Sequence, residues 1–225
     1  MGQIFQRSKT LNILLANLPM KHCYLSSAYL APISYYKILI SSDKVFLECC
    51  ENYQKQSYRN RCKIAAANGE ISLNIPIESN NGEKQLIRDV RISNHDNWQI
   101  QHWRSIESAY NSSPFFEYYE DDFRPFYEKK WKFLWDFNWE IMQKILHLLD
   151  FQPNIELTKE YQINIQNDFR DLIHPKKQSI ISAERYYQIF EQKHGFLADL
   201  SIIDLLFNMG NESILILNDS LLKKQ

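Results

Sequence analysis

The part of the chain that most limits its fold is the segment from residue 23 to residue 49. Residues 23–30 and 44–49 are apolar enough to form strands, and residues 33–40 between them follow Pro32, which suits the first turn of a helix. The second strand shows no alternation of polar and apolar side chains, which is typical of a strand buried on both faces. Two strands joined by a helix form a βαβ unit, so this segment predicts a parallel pair.

The rest of the chain predicts a hairpin followed by helices. Residues 61–67 and 70–77 flank Asn68-Gly69, a pair that accepts the positive φ angles of a tight turn. The other predicted elements are a strand at 86–92, helices at 96–112, 117–149 (restarted at Pro125) and 201–208, a polar connection at 152–178, and a strand or helix at 214–217. We therefore expect an α/β fold: a mixed, partly parallel sheet opened by the βαβ unit, with packed helices in the C-terminal half.

Composition narrows the class of protein. The 225 residues carry a formal net charge of −1, which argues against a nucleic-acid binder, because phosphate contacts demand an excess of Lys and Arg. No apolar run reaches the ~20 residues that cross a bilayer. The four cysteines show no paired spacing and indicate free thiols in a reducing cytoplasm. Residues 1–19 make a poor signal peptide and are predicted to be a loosely attached extension of a single domain at 20–225.

A donor-rich loop is the first candidate binding site. Residues 53–61 follow the second strand and combine cations with amides and phenols, which suits an anionic, hydroxyl-rich ligand. The cations could clamp phosphate, and the tyrosines here and near the first strand could stack on a base or a sugar. The alternatives are a solvated loop and tyrosines packed in the core. The residues concerned are Lys55, Gln56, Arg59, Asn60, Arg61, Tyr29, Tyr35 and Tyr53.

A histidine on the first long helix is the first candidate for catalysis. His102 could act as a general base near neutral pH, and Glu51, at the end of the second strand, could orient it or act as its acid–base partner. Arg104 and Ser105 on the same helix are candidate substrate contacts. The alternative is a histidine bonded to backbone where a helix meets the sheet. The catalytic interpretation requires that Arg59 and His102 converge on one cavity.

Asp204 is the second candidate for catalysis. It lies within an apolar run, and a buried carboxylate needs a hydrogen-bond or charge partner. Asn208, four residues later, lies on the same helical face and would line the same cleft. The alternative is a capping box of Ser201 and Asp204, which would stabilise the start of the helix without a catalytic role. No cluster of His, Cys and Asp has the spacing of metal ligands, so no metal is expected, and the cofactor is unknown.

Four blocks of sequence, taken together, are specific to a known family. They are residues 28–36 (beginning Ala28-Tyr29-Leu30-Ala31-Pro32), residues 51–61 (ending Ser57-Tyr58-Arg59-Asn60-Arg61), His102-Trp103-Arg104-Ser105-Ile106, and residues 200–210. In this respect the chain resembles the WbqC-like family from residue 22 to about residue 210. The opening of the family tends to read Gln-Pro-x-Tyr-Leu-Pro, and here Ser27-Ala28 stands in place of Gln-Pro.

The resemblance implies a role in bacterial surface-polysaccharide (O-antigen) biosynthesis. It implies a cytoplasmic transferase that moves a small acyl or aminoacyl group onto a phosphorylated or nucleotide-linked amino sugar, with that small molecule as its partner. Neither nucleic acid nor a membrane span is expected, and a homo-oligomer stays open. Two alternatives remain. The βαβ unit suggests a nucleotidyltransferase-like enzyme. An exposed aromatic patch would suggest a non-catalytic binding or scaffold protein of envelope assembly, and its residues would include Tyr118, Trp131, Trp135 and Trp139.

Overall fold

The βαβ unit predicted near the start of the chain is present. A computed structural model describes residues 20–80, 82–179, 181 and 184–218, so the predicted extension at 1–19 lies outside the described residues. Strand β1 (Cys23–Ser26) leads through helix α1 (Ile33–Ile40) to strand β2 (Val45–Glu48). The two strands pair in parallel, and Ser26 lies opposite Glu48 at their carboxyl ends. The expected α/β class and the parallel pairing are confirmed.

The predicted hairpin forms a sheet of its own. Strands β3 (Arg61–Ala66) and β4 (Gly69–Asn74) pair antiparallel, and Gly69 has a φ angle of 108°, which glycine adopts without strain. The strands of the mixed arrangement are therefore divided between two sheets, one parallel and one antiparallel.

Three helices follow the hairpin: α2 (Trp98–Tyr110), α3 (Phe116–Glu128) and α4 (Leu134–Leu148). The prediction that one helical region restarts at Pro125 is wrong, because Pro125 lies inside α3 and the break comes after residue 128. At the break, Lys132 O accepts a hydrogen bond from Ile92 N (3.0 Å), and the Trp131 indole donates to Phe126 O (2.9 Å). The first bond is tertiary and the second is local, and together they hold the backbone away from a helical path.

Two other predictions for single elements were wrong. Residues 86–92 form no strand; they contain a 3₁₀ turn at Ile87–Asp89 flanked by isolated bridges. The connection at 152–178 contains strand β5 (Ile155–Leu157), which pairs in parallel with β2, so β2 is the central strand of the order β1-β2-β5. The C-terminal part contains α5 (Glu191–His194), α6 (Ile202–Met209), a 3₁₀ turn, and α7 (Ser213–Leu217), which settles the strand-or-helix alternative.

One hydrophobic cluster joins these elements from Met20 to Leu217. Helix α1 is buried along its whole length, the core faces of α2 and α3 are rich in aromatic side chains, and that of α4 is mainly aliphatic. None of the described helices is long and apolar enough to cross a membrane. The carboxyl ends of β1 and β2 lie at one edge of the parallel sheet, the edge at which such sheets place their ligands.

Candidate functional site

The carboxyl edge of the parallel sheet holds a buried ion pair between Glu51 and Arg59. Arg59 donates from Nε to Glu51 Oε1 (2.7 Å) and from Nη2 to Glu51 Oε2, and each side chain is 3% exposed. Nη2 also donates to Ser26 Oγ (2.8 Å), where β1 ends. Burial raises the pKa of the Glu51 carboxyl, and the hydrogen bonds from Arg59 oppose that rise. Removing one partner of such a pair costs about 3–5 kcal/mol.

A second buried ion pair lies beside the first. Arg170 donates from Nη1 to Glu48 Oε2 (2.6 Å) and holds Asp168 through Nε and Nη2 (2.8 and 2.7 Å). The Arg170 carbonyl is 3.3 Å from Ser26 Oγ, so Ser26 contacts both pairs. The Glu48 carboxylate also accepts a hydrogen bond from the Thr158 hydroxyl (2.7 Å), directly after β5. All three strands of the parallel sheet therefore end in this polar cluster.

A small cavity lies among these groups. Its volume of ≈ 10 Å³ is about enough for one water molecule. This volume is too small for a sugar ring, so a sugar can enter only if some of the lining residues move. The cavity is lined by Ser26, Ser27, Ala28, Tyr35, Tyr58, Arg59, Phe169, Arg170 and Ile173.

The donor-rich loop contributes Tyr58 and Arg59 to the lining of this cavity. The rest of the loop contacts the segment that follows Arg170, and we call these contacting residues the rim. Gln54 Nε2 donates to Asp171 Oδ1 (2.8 Å), and Lys176 Nζ donates to Gln56 Oε1. Lys55 is exposed between these two contacts. Burial raises the pKa of the Tyr53 phenol to about 12. The rim therefore joins the predicted loop to a segment that the sequence pattern did not connect with it.

Three more of the predicted binding residues are occupied by structural contacts near the loop. Asn60 Nδ2 donates to Ile75 O (2.8 Å), and Arg61 Nε donates to Asn74 Oδ1, so both residues attach the loop to the end of β4. The Tyr35 hydroxyl donates to Ser26 O (2.9 Å) and fixes one wall of the cavity.

His102 lies in the core, apart from this cavity. Its Nε2 is 3.2 Å from the Asn74 carbonyl and its Nδ1 is 3.0 Å from the Tyr29 hydroxyl, which also bonds Tyr127. A carbonyl can only accept, so Nε2 carries the proton and Nδ1 accepts from Tyr29. Burial lowers the pKa of His102 to about 4, and the bond to Asn74 opposes that change.

The expected convergence of Arg59 and His102 is not found among the described residues. The cavity lined by Arg59 is not lined by His102, and the two side chains share no hydrogen-bond partner. The bonding of His102 to the Asn74 carbonyl matches the alternative of a histidine held by backbone. Its role as a base stays a prediction.

Asp204 forms a third, separate cluster. Its buried carboxylate accepts hydrogen bonds from the hydroxyls of Tyr110 (2.8 Å) and Tyr186 (2.6 Å) and from Gln188 Nε2 (3.1 Å). Burial raises the pKa of Asp204 to about 6, and these bonds oppose the rise. Asn208 bonds the Asp204 backbone carbonyl (2.7 Å).

The capping-box alternative for Asp204 is wrong. The Ser201 hydroxyl donates to Leu30 O (2.8 Å) and makes no side-chain cap on α6. The two remaining candidates lie on α2: the Ser105 hydroxyl donates to Gln101 O (2.7 Å) within the helix, and Arg104 is exposed beside a groove between α2 and α3.

The aromatic patch proposed for a scaffold protein is mostly packed. Trp131 is buried, and Trp135 and Trp139 are half-buried against the core. Of the aromatic residues near the start of α3, Tyr118 is the most exposed, at 71%.

Sequence reasoning missed Arg170, Asp168 and Ser26. Arg170 and Glu48 lie 122 residues apart in the chain, so no local pattern links them. The available signal was Asp168-Phe169-Arg170-Asp171, in which three of four residues are charged within a segment interpreted as a plain connection.

The chain belongs to the WbqC-like protein family, whose match covers residues 27–182, more than half of the chain. This range includes both buried ion pairs. The chain is also similar to the uncharacterized protein Rv1507c of Mycobacterium tuberculosis, with 24% identity over 221 residues that cover 86% of this chain and 95% of that protein. No solved structure matches the chain.

Proposed function

We propose that this protein is a cytoplasmic transferase of bacterial surface-polysaccharide precursor biosynthesis. It would move a small acyl or aminoacyl group onto a phosphorylated or nucleotide-linked amino sugar. The observation that carries the proposal is the Glu51–Arg59–Ser26 cluster at the carboxyl ends of β1 and β2. The four cysteines are free thiols, which agrees with a reducing compartment.

In this proposal the rim of the cavity, and not Arg59 alone, holds the phosphate of the substrate. Arg59 uses Nε and Nη2 for Glu51 and Ser26, which leaves it little capacity for a diphosphate. Lys55 is exposed and has no ion pair within the described part of the chain, and Lys176 is exposed on the facing segment. Ammonium groups bind phosphate as point charges, so these two lysines suit an anionic end of the substrate.

The proposed chemistry is attack of the sugar amine on the carbonyl carbon of the donor. The new amide bond forms, the donor's leaving group departs with its electron pair, and the excess proton of the amine passes to Glu51. Burial raises the pKa of the Glu51 carboxyl toward neutral pH. A general base is most effective when its pKa lies near the pH at which it works. Arg59 Nη1, which makes no hydrogen bond to another described residue, would stabilise the oxyanion.

The sequence-based alternative assigns proton transfer to His102. That role requires the ring to give up its bond to Tyr29 or to Asn74 before it can accept a proton from substrate. A Glu51→Gln variant distinguishes the two assignments. We expect it to bind the sugar but to form no acylated product by mass spectrometry, whereas undiminished turnover would favour His102 or another base.

Thermal unfolding with UDP- and dTDP-linked amino sugars tests substrate binding. A ligand at 100 times its Kd stabilises the native state by about 2.7 kcal/mol, so we expect a clear rise in Tm. The double variant Lys55→Ala, Lys176→Ala should lose most of the rise. Lys130→Ala, which removes an exposed charge on the turn between α3 and α4, should keep it.

The same scan distinguishes the alternatives. Unchanged melting with every nucleotide sugar at millimolar concentration would contradict the proposal. A rise with nucleoside triphosphates but not with nucleotide sugars would favour a nucleotidyltransferase-like enzyme. No response to any small molecule would favour a binding or scaffold protein.

A further inference from the structure

A second pocket lies at the C-terminal end of helix α4, and none of the residues that line the first cavity lines it. One face of α4 contributes Trp139, Gln143 and His147, and the turn that leads to β5 contributes Asp150 and Phe151. The volume of this groove, ≈ 450 Å³, lies in the range of small-molecule sites. We call it the α4–β5 groove.

The α4–β5 groove combines flat apolar surfaces with unoccupied polar groups. Trp139 and Phe151 line the groove, and both residues are half-buried against the core. The side chains of Gln143, His147 and Asp150 are exposed, and they make no hydrogen bond or ion pair to any other described residue. By contrast, the polar groups of the first cavity are almost all engaged with one another. The hydrogen-bond donors and acceptors of these three side chains are therefore available to a ligand in the α4–β5 groove.

The charge of the groove indicates a neutral ligand. No Lys or Arg is among the residues that line it, and Asp150 would repel a phosphate. A sugar ring without charge fits this combination, because its C–H face can stack on an aromatic ring while its hydroxyl groups bond amides and a carboxylate. The residues that line the groove therefore favour a neutral glycan over a nucleotide.

The backbone of Asp150 supports a role for its side chain. Asp150 has a φ angle of 50° at the end of α4, where Phe151 N donates to Leu146 O (3.0 Å). Helices usually end this way with glycine, because the left-handed conformation is strained for other residues. Here Asp150 occupies the position, and it is one of the residues that line the groove.

The groove is separate from the proposed transferase site. Ile155, which lines the groove, pairs with Val45 at the start of β2, whereas Glu48 of the polar cluster ends the same strand. The two sites therefore lie at opposite ends of β2 and share no lining residue.

We propose that the α4–β5 groove binds a neutral mono- or disaccharide unit of a glycan. Saturation-transfer-difference NMR with maltose, N,N′-diacetylchitobiose and methyl glucoside tests this. We expect transfer to at least one sugar, strongest to the ring protons that face Trp139. UMP should not compete, because no Lys or Arg lines the groove and Asp150 repels a phosphate.

Matched variants make the test specific. Asp150→Gly removes the carboxylate and keeps the backbone conformation, and combined with Gln143→Ala it should weaken sugar binding about tenfold, the effect expected from losing one or two hydrogen bonds. Gln101→Ala, an exposed amide on α2, should bind like the wild type. The proposal is overturned if no sugar shows transfer at millimolar concentration, if the double variant binds as well as the wild type, or if UMP displaces the sugar. Sugar binding retained in Lys55→Ala, Lys176→Ala would distinguish this groove from the transferase site.

Discussion

Titration of His102 should show that its ring is neutral and enclosed throughout the physiological range. Burial lowers the pKa of His102 from 6.5 to about 4. Because the folded state disfavours protonation, the neutral ring contributes stability that is present above pH 6.5 and is lost as the pH falls toward 4. At about 1.36 kcal/mol for each pKa unit, the loss over this window is about 3 kcal/mol.

The His102→Gln variant isolates this contribution, because it keeps every other titrating group. At pH 7 the variant should be less stable by about 1–3 kcal/mol, since the Tyr29 hydroxyl and the Asn74 carbonyl lose good partners. The difference from the wild type should shrink as the pH falls toward 4. Urea unfolding at a series of pH values measures it.

Nitrogen chemical shifts provide a second measurement on the same ring. They should place the proton on Nε2 and show no protonation until the pH approaches 4. Protonation of the His102 ring with a midpoint near pH 6.5 would refute its assignment to the packed core. So would a stability difference between the wild type and His102→Gln that does not change with pH.

Three further predictions concern Glu51, Asp204 and the cysteines. Glu51→Gln should destabilise the protein by about 3–5 kcal/mol, as measured by urea unfolding. Adding Arg59→Met should recover much of that loss. A single variant as stable as the wild type would mean that the ion pair is solvated. Burial raises the pKa of Asp204 from 3.8 to about 6. The stability of the wild type relative to Asp204→Asn should therefore fall by about 3 kcal/mol as the pH rises from 3.8 to 6, whereas the contribution of His102 is lost as the pH falls. A stability difference that stays constant with pH would contradict this prediction. Cys50, the one cysteine of the four that is not buried, should react first with Ellman's reagent, and early reaction of Cys62 would contradict the fold.

The local elements were predictable because their signals are local. Pro32 and the apolar segments on either side of α1 predicted the βαβ unit, and Asn68-Gly69 predicted the hairpin turn. Each of these depends on the conformational preference of a few adjacent residues.

The elements that were missed depend on distant partners. Strand β5 has only three residues and exposes Leu157, so it exists because β2 offers it an edge. The break between α3 and α4 exists because Lys132 bonds Ile92, forty residues earlier in the chain. Propensity alone favours a continuous helix there, and tertiary hydrogen bonds override it.

The candidate site was predictable in part. The loop at 53–61 follows the end of β2 directly, so chain order brings Arg59 close to Glu51, although the sequence analysis assigned Glu51 to His102. His102 carries the same chemical groups whether it lines a cleft or packs in a core, and its sequence neighbours do not distinguish the two. Arg170 reaches the cluster only through the fold, because residues 167–169 run beside β1.

The most direct test of the account is a crystal structure of the protein with a UDP-linked amino sugar. We expect density for the sugar beside Ser26, Glu51 and Arg59, with residues 169–173 displaced and the diphosphate near Lys55 and Lys176. Density for the amino sugar against His102 or Asp204, with the Glu51–Arg59 pair untouched and residues 169–173 in place, would contradict the assignment of the site.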